Sequence, residues 1–358
     1  RGGPEQDIAV GEGCSVGRTR INGIPGRRRF MTLINTIAGG VDVGDLGWTL
    51  SHEHLTNGAA GMENLPGLLD VPGRRQEMVD RCVEALKRAH QYGIRSLIDL
   101  TPFDLGRQAW LFEEVAARHS EHNVNVICAT GVYRWVPPIF FGWDIDEIAE
   151  HFAAEIISGI AGSNIKAGII KLAWDIEAHQ ADGPGAPRIH LEKTARAAAR
   201  AAKRTGVPIS CHTKATDELG TPLLDIFDDE GLDLGAVTIG HSNDTSDMIY
   251  LKSIAQRGAV VGLDRFFSTE EQYVANRSRI ALELASDGFA DKVALGHDAT
   301  PAGFWGTWKD EANLDVWTLV PAFEVAWLRN NGLPEDQLNE MMATSIANTF
   351  TVAKSLSN

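Results

Sequence analysis

The chain has 358 residues, with 33 Lys or Arg against 48 Asp or Glu, and its formal charge of −15 argues against nucleic acid and anionic membrane as partners. At 44% hydrophobic and 23% charged it has the composition of a folded soluble protein, and no apolar run approaches the roughly 18 residues of a membrane span. Four scattered cysteines, Cys14, Cys82, Cys128 and Cys211, form no CxxC pair and no dense disulfide framework, so a reducing cytoplasm is the expected location.

Residues 1–30 are rich in Gly and Arg and lack amphipathic period, which reads as a flexible extension. Arg27-Arg28-Arg29-Phe30 resembles the start of an export signal, but no sustained apolar stretch follows it. Met31 reads as a natural start, and 31–358 as a single domain. From Trp48 onward, short β-rich runs alternate with helical stretches. Eight runs are expected at 48–54, 96–101, 124–131, 167–173, 207–213, 236–242, 259–264 and 292–298. Between them, 74–93 places Met78, Cys82, Leu86 and His90 four apart, and 191–206 ends on a helix-stopping Gly206. No Pro/Gly/Ser-rich linker divides the body. Eight strand-helix units without a boundary predict an α/β fold, a closed (β/α)8 TIM barrel, in preference to an open doubly wound sheet.

Candidate chemistry gathers where the runs end. His52 and His54 lie two apart on the first strand and share a side, while Glu53 points away. His212 closes the fifth run, His241 the sixth and Asp298 the eighth, and Lys171 lies within the fourth. All fall near the C-terminal strand ends, the face on which barrel enzymes build their sites. The remaining seven of the eleven histidines read as structural. Imidazole and carboxylate suit Zn²⁺, Mn²⁺, Co²⁺ or Fe²⁺, and the number of ligands exceeds the needs of one hydrolytic ion, pointing to a binuclear site. A lysine ammonium beside two dications would be repelled unless converted to an anion.

These residues, with LSHEHL, DLTPFDLGR, ATGVY, AGIIKLA and GHSNDTSDMIYL, resemble the phosphotriesterase family of the amidohydrolase superfamily. The resemblance implies that His52, His54 and Asp298 hold one metal and that His212 and His241 hold the other. It also implies that carboxylated Lys171 bridges them. Zinc is the expected ion, with Co, Mn or Fe as alternatives. A hydroxide between the metals would be the nucleophile and Asp298 its proton acceptor, with Asp264 and Asp244 orienting ligands or relaying the proton. The family resemblance also implies a homodimer.

Arg265, after the GLD aspartate, and Tyr133, in ATGVY, resemble the phosphotriesterase-like lactonases, in which a tyrosine phenol contacts the lactone. The expected substrate is therefore a small molecule, an acyl-homoserine lactone or another alkyl-substituted lactone. A phosphotriester or another carboxylic ester is the alternative, and a catalytically silent metal-binding homologue is a second. Phe266, Phe267, Phe304, Trp305 and Trp308, in two loops at the barrel mouth, are expected to line an apolar substrate groove.

Overall fold

The computed structural model describes residues 32–133, 135–175, 188–304 and 314–357; the extension predicted at 1–30, together with Trp305 and Trp308, lies outside them. Residues Thr32–Asn358 form one compact unit. Among the described residues no helix is long and apolar enough to cross a membrane.

All eight predicted runs are strands: β3 (Thr49–Glu53), β4 (Ser96–Asp99), β5 (Asn125–Gly131), β6 (Ile169–Trp174), β7 (Ile209–Thr213), β8 (Val237–Gly240), β9 (Val260–Leu263) and β10 (Val293–Leu295). They pair in parallel, each with its neighbour in sequence, as a (β/α)8 barrel requires. Five of the observed strands, β3, β4, β8, β9 and β10, stop short of the ends of their predicted runs, whose final residues leave the ladder, whereas β5, β6 and β7 reach or pass theirs. The helix predicted at 74–93 spans Arg74–Gln91 and buries Met78, Cys82 and Leu86, whereas His90 is only half-buried. The helix predicted at 191–206 spans Arg188–Thr205 and stops at Gly206, whose φ of +68° suits glycine. Cys82, Cys128 and Cys211 are buried free thiols.

One element was not anticipated. β1 (Leu33–Thr36) and β2 (Gly39–Asp42) form an antiparallel hairpin ahead of the barrel. Ile34 of this hairpin and Leu46 join Ile98, Ile127, Ala129, Ile169, Val260 and Ala294 in one buried cluster, so they stopper the end of the barrel opposite the mouth. A second, larger core packs helices against the outer face of the strands.

Among the described residues no ladder pairs β3 with β10, and this seam is closed by individual contacts. The Ser51 hydroxyl donates to the Leu295 carbonyl at 2.9 Å, Asp298 N to the His52 carbonyl at 3.0 Å, and His54 N to the Ala299 carbonyl at 3.0 Å. Glycine is required for this approach, since a Cβ on Gly296 would lie 2.9 Å from His52 N. Gly131 plays the same part between β5 and β6: its φ is +111°, and a Cβ there would meet the Lys171 carbonyl oxygen at 2.0 Å.

Arg107, from the DLGR motif, has a structural role. Its guanidinium forks onto Glu155 at 2.9 and 2.5 Å and also donates to the Ala129 carbonyl, while the Thr130 hydroxyl donates to the same carboxylate. Burial alone would raise Glu155, but Arg107 and Thr130 hold it below its ordinary value of 4.5. Removing one partner of such a buried pair leaves the other charge uncompensated, so Arg107→Met should cost about 3–5 kcal/mol in urea unfolding. A carboxylate held low in the folded state stabilises above its unfolded pKa. The difference between parent and variant should thus be full at neutral pH and shrink as the pH falls through the folded value of Glu155.

Candidate metal centre

The candidate ligands meet at the C-terminal ends of the strands. His52 is on β3, with His54 just beyond it; Lys171 is on β6, His212 on β7, His241 follows β8, and Asp298 follows β10. His52, His54 and Asp298 present ligand atoms within 4.8 Å of one another. The His52 ring stacks on that of His241 at 5.1 Å, and His212 stands edge-on to His241 at 4.4 Å between centroids. The fully buried Lys171 Nζ lies 3.2 Å from His52 Nε2. Together His52, His54, Lys171, His241 and Asp298, with Asn57, Leu105 and Tyr133, line a cavity of about 170 Å³.

The partners of Nδ1 fix the tautomers of His52 and His54. Asp264, buried on the far side, accepts from His52 Nδ1 at 2.6 Å through one oxygen, while the other takes the His241 backbone N–H and lies 2.9 Å from His241 Nδ1, onto which the Arg265 Nε–H also donates at 3.0 Å. His54 Nδ1 faces the Thr101 hydroxyl at 2.9 Å, and that hydroxyl donates onward to the Thr56 carbonyl. His54 Nδ1 must therefore carry the proton. The Nε2 lone pairs of His52 and His54 then point at one carboxylate oxygen, Asp298 Oδ1, at 3.4 and 3.1 Å. Lone pairs facing a carboxylate repel unless a cation sits between them. This donor set fits a divalent metal, with Asp264 and Thr101 fixing the imidazoles that would bind it.

The ionisation states agree. Burial, reinforced by Lys171, lowers His52 to about 3, and burial beside His241 lowers His212 to about 3, so both rings are neutral donors at physiological pH. Burial alone would raise Asp264 and Asp298. The surrounding imidazoles outweigh it, and both carboxyls stay ionised well below the usual range. Burial lowers Lys171 to about 8, which makes its free amine accessible near neutral pH.

Two of the candidate ligands adopt left-handed backbone, His241 at φ +59° and Asp298 at φ +54°. Such conformations cost about 1–3 kcal/mol each in non-glycine residues and persist where surrounding contacts impose them. Asp264 holds the backbone of His241, and the seam holds that of Asp298.

Around the cavity, the Tyr133 hydroxyl lies 3.5 Å from His212 Nδ1 with its ring edge-on to the imidazole. Arg265 spans Asp298 at 3.6 Å and Asp244 at 3.4 Å, and Arg277 grips the other oxygen of Asp244 at 3.0 Å. Among the aromatics predicted to line a groove, Phe266 is instead buried in the core, because the chain turns inward after Arg265. Phe267 is exposed beside Tyr273 and Arg277, and Phe304 packs against the outer core; neither lines the metal cavity. Sequence reasoning missed Asn57 and Leu105 in the wall. It also missed Asp175, 3.6 Å from His212 Nε2, although its position just past the end of β6 was a usable signal. An apolar pocket of about 280 Å³ is lined by Phe103, Asp104, Trp135, Val136, Pro137 and Pro138, and the Asp104 carboxylate accepts the backbone N–H groups of Trp135 and of Tyr133, a residue of the cavity wall.

A parallel eight-fold barrel with imidazoles and a carboxylate converging at its mouth defines the class of metal-dependent barrel hydrolases. Within it, the chain belongs to the phosphotriesterase family, whose model matches residues 32–348. It is 35% identical over 300 residues to an aryldialkylphosphatase of Saccharolobus solfataricus, covering 82% of this chain and 91% of that protein. It is 32% identical over 344 residues to a phosphotriesterase homology protein of Mycobacterium tuberculosis, covering 89% and 98%. A phosphotriesterase homology protein of Escherichia coli is 31% identical over 258 residues, covering 71% of this chain and 82% of that one. Family enzymes use a binuclear metal centre, in keeping with the donor set described.

Because Asp264 contacts both imidazoles, one through each oxygen, Asp264→Asn must turn an amide N–H toward one of them. Zn²⁺ affinity, measured by calorimetric titration of the metal-free protein, should fall about 10–100-fold.

Proposed function

We propose that this phosphotriesterase-family hydrolase opens alkyl-substituted lactones, with aryl dialkyl phosphates as secondary substrates. The observation that carries this reading is Tyr133, whose phenol stands at the wall of the cavity lined by His52, His54 and Asp298, where it can donate to a carbonyl oxygen. In this reading His52, His54 and Asp298 hold one ion and His212 and His241 the other. Two divalent ions would supply a water of lowered pKa and polarise the substrate oxygen, zinc being the expected metal.

Lys171 completes the reading. Its neutral amine can add CO₂, forming an N–C bond and releasing one proton, and the resulting carbamate replaces a cation by an anion between the two ligand groups. Asp298, held ionised, takes the proton of the attacking water and returns it to the alkoxide that leaves when the ring C–O bond breaks. Arg265 cannot carry that proton, since its guanidinium stays charged. It instead ties Asp298 to Asp244 electrostatically and keeps the Asp298 carboxylate turned to the cavity. The lactone's alkyl substituent would lie in the apolar pocket at Phe103, Trp135 and Pro137. A catalytically silent relative would have no need for the full set of donors in one buried cluster.

The test compares kcat/KM for an alkyl-substituted γ-lactone and an aryl dialkyl phosphate in the parent and in Tyr133→Phe. Loss of a donor acting in the transition state costs about 10²–10³-fold, and the lactone should bear it while the phosphate loses less. A parent that prefers the phosphate, or an equal loss on both, hands the assignment to a phosphotriesterase. Chelation should abolish both activities, and Zn²⁺ with bicarbonate should restore them; no hydrolysis under any loading would mark a silent homologue.

We further propose a homodimer. Trp135, Ile139 and Phe141 leave large apolar side chains exposed within one short stretch of chain. Ile139→Glu, at a residue 60% exposed and thus dispensable for folding, should shift the sedimentation coefficient from dimer to monomer.

A further inference from the structure

Glu53 lies between His52 and His54, on the opposite side of β3, and is fully buried outside the metal cavity. Its carboxylate accepts three N–H groups: His297 N at 2.8 Å, His297 Nδ1 at 2.6 Å and Ala299 N at 3.3 Å. These donors bracket Asp298. His297, itself fully buried, accepts the Val320 N–H on Nε2 at 2.9 Å, so its single proton resides on Nδ1 and is committed to Glu53. The left-handed backbone of Asp298 is thus clamped by one carboxylate gripping the residues before and after it, while its own N–H is held by the His52 carbonyl.

We propose that Glu53, acting through His297, is the positioning residue that holds Asp298 in its cavity-facing conformation, so that the segment 52–54 supplies two ligands and also fixes the third. This rests on the reading of Asp298 as a metal ligand. An apolar residue would fill the seam equally well, but only an acceptor with two oxygens can serve three N–H groups around a strained turn. Neither Glu53 nor His297 lines the cavity, so neither is placed to be a ligand itself.

The test uses the full chain with Glu53→Gln, His297→Asn and His297→Leu. In Glu53→Gln the amide oxygen can still accept from His297, but the amide N–H opposes Ala299 N–H. His297→Asn keeps a donor near the Nδ1 position, and His297→Leu removes it. Calorimetric Zn²⁺ titration of each metal-free protein, steady-state kinetics and thermal midpoints are measured together. Glu53→Gln should lose about 10–100-fold in Zn²⁺ affinity, with kcat falling and KM little changed, as expected when the support of a ligand is lost. His297→Asn should retain more affinity and kcat than His297→Leu. If Glu53→Gln does not fold, the order of the two His297 variants decides. Thermal midpoints that fall while Zn²⁺ affinity and kcat stay at parental values would overturn the proposal and leave Glu53 a seam residue only. Failure of the parent itself to bind Zn²⁺ would instead remove the ligand reading beneath it, and the parent's titration separates the two outcomes.

Discussion

Closure of a parallel eight-stranded sheet on itself is the constraint on which the rest of this molecule depends. It brings His54 and Asp298, 244 positions apart, within 3.1 Å, because the first and last barrel strands must become neighbours. Elsewhere the barrel is held by ladders between consecutive strands. At the seam, the closing contacts come from Ser51, His52, Glu53 and His54 on one side and Leu295 to Ala299 on the other. The same few residues therefore close the fold and build the candidate centre. Small residues admit the approach there, and the strained backbone of Asp298 is stabilised by the fold rather than by its own preference.

The electrostatics follow from burial in that mouth. Imidazoles taken out of water lose their protons, and carboxylates surrounded by imidazole remain charged. Asp264 shows the arrangement most clearly. One carboxylate, with nothing of its own in the cavity, commits the Nδ1 proton of His52, leaving its Nε2 as a donor, and holds His241 through both its backbone N–H and its ring. A group containing His52, His241 and Asp264 has its ligand atoms close enough to suggest a metal of its own. The Nδ1 contacts at hydrogen-bond distance explain that proximity more simply, as the outer carboxylates of a histidine metal centre.

The mouth divides into a polar floor and an apolar flank. Tyr133 and Asp298 line the former, and Phe103, Trp135 and the two prolines form the latter, with Asp104 pinning Tyr133 and Trp135 through two backbone N–H groups. The aromatic character expected of the substrate region is thus present, but on the loops after β4 and β5. Phe266 turns into the core instead.

The strand-helix alternation, the eight runs and the residues closing them were legible from sequence because hydrophobic period and strand-end placement are local properties. So was the placement of the candidate ligands, since His52, His54, Lys171, His212, His241 and Asp298 each mark a strand or its end. The N-terminal hairpin was not legible, because four-residue strands carry too little period and gain their stability from the barrel floor they cover. Nor was the direction of Phe266 and Phe267, consecutive side chains of which one is buried and the other exposed by a turn after β9. Glu53 and His297 looked like bystanders to stronger neighbours. Their partnership spans the seam, and only closure of the barrel, a contact between the two ends of the sheet, brings a buried carboxylate to the donors that satisfy it.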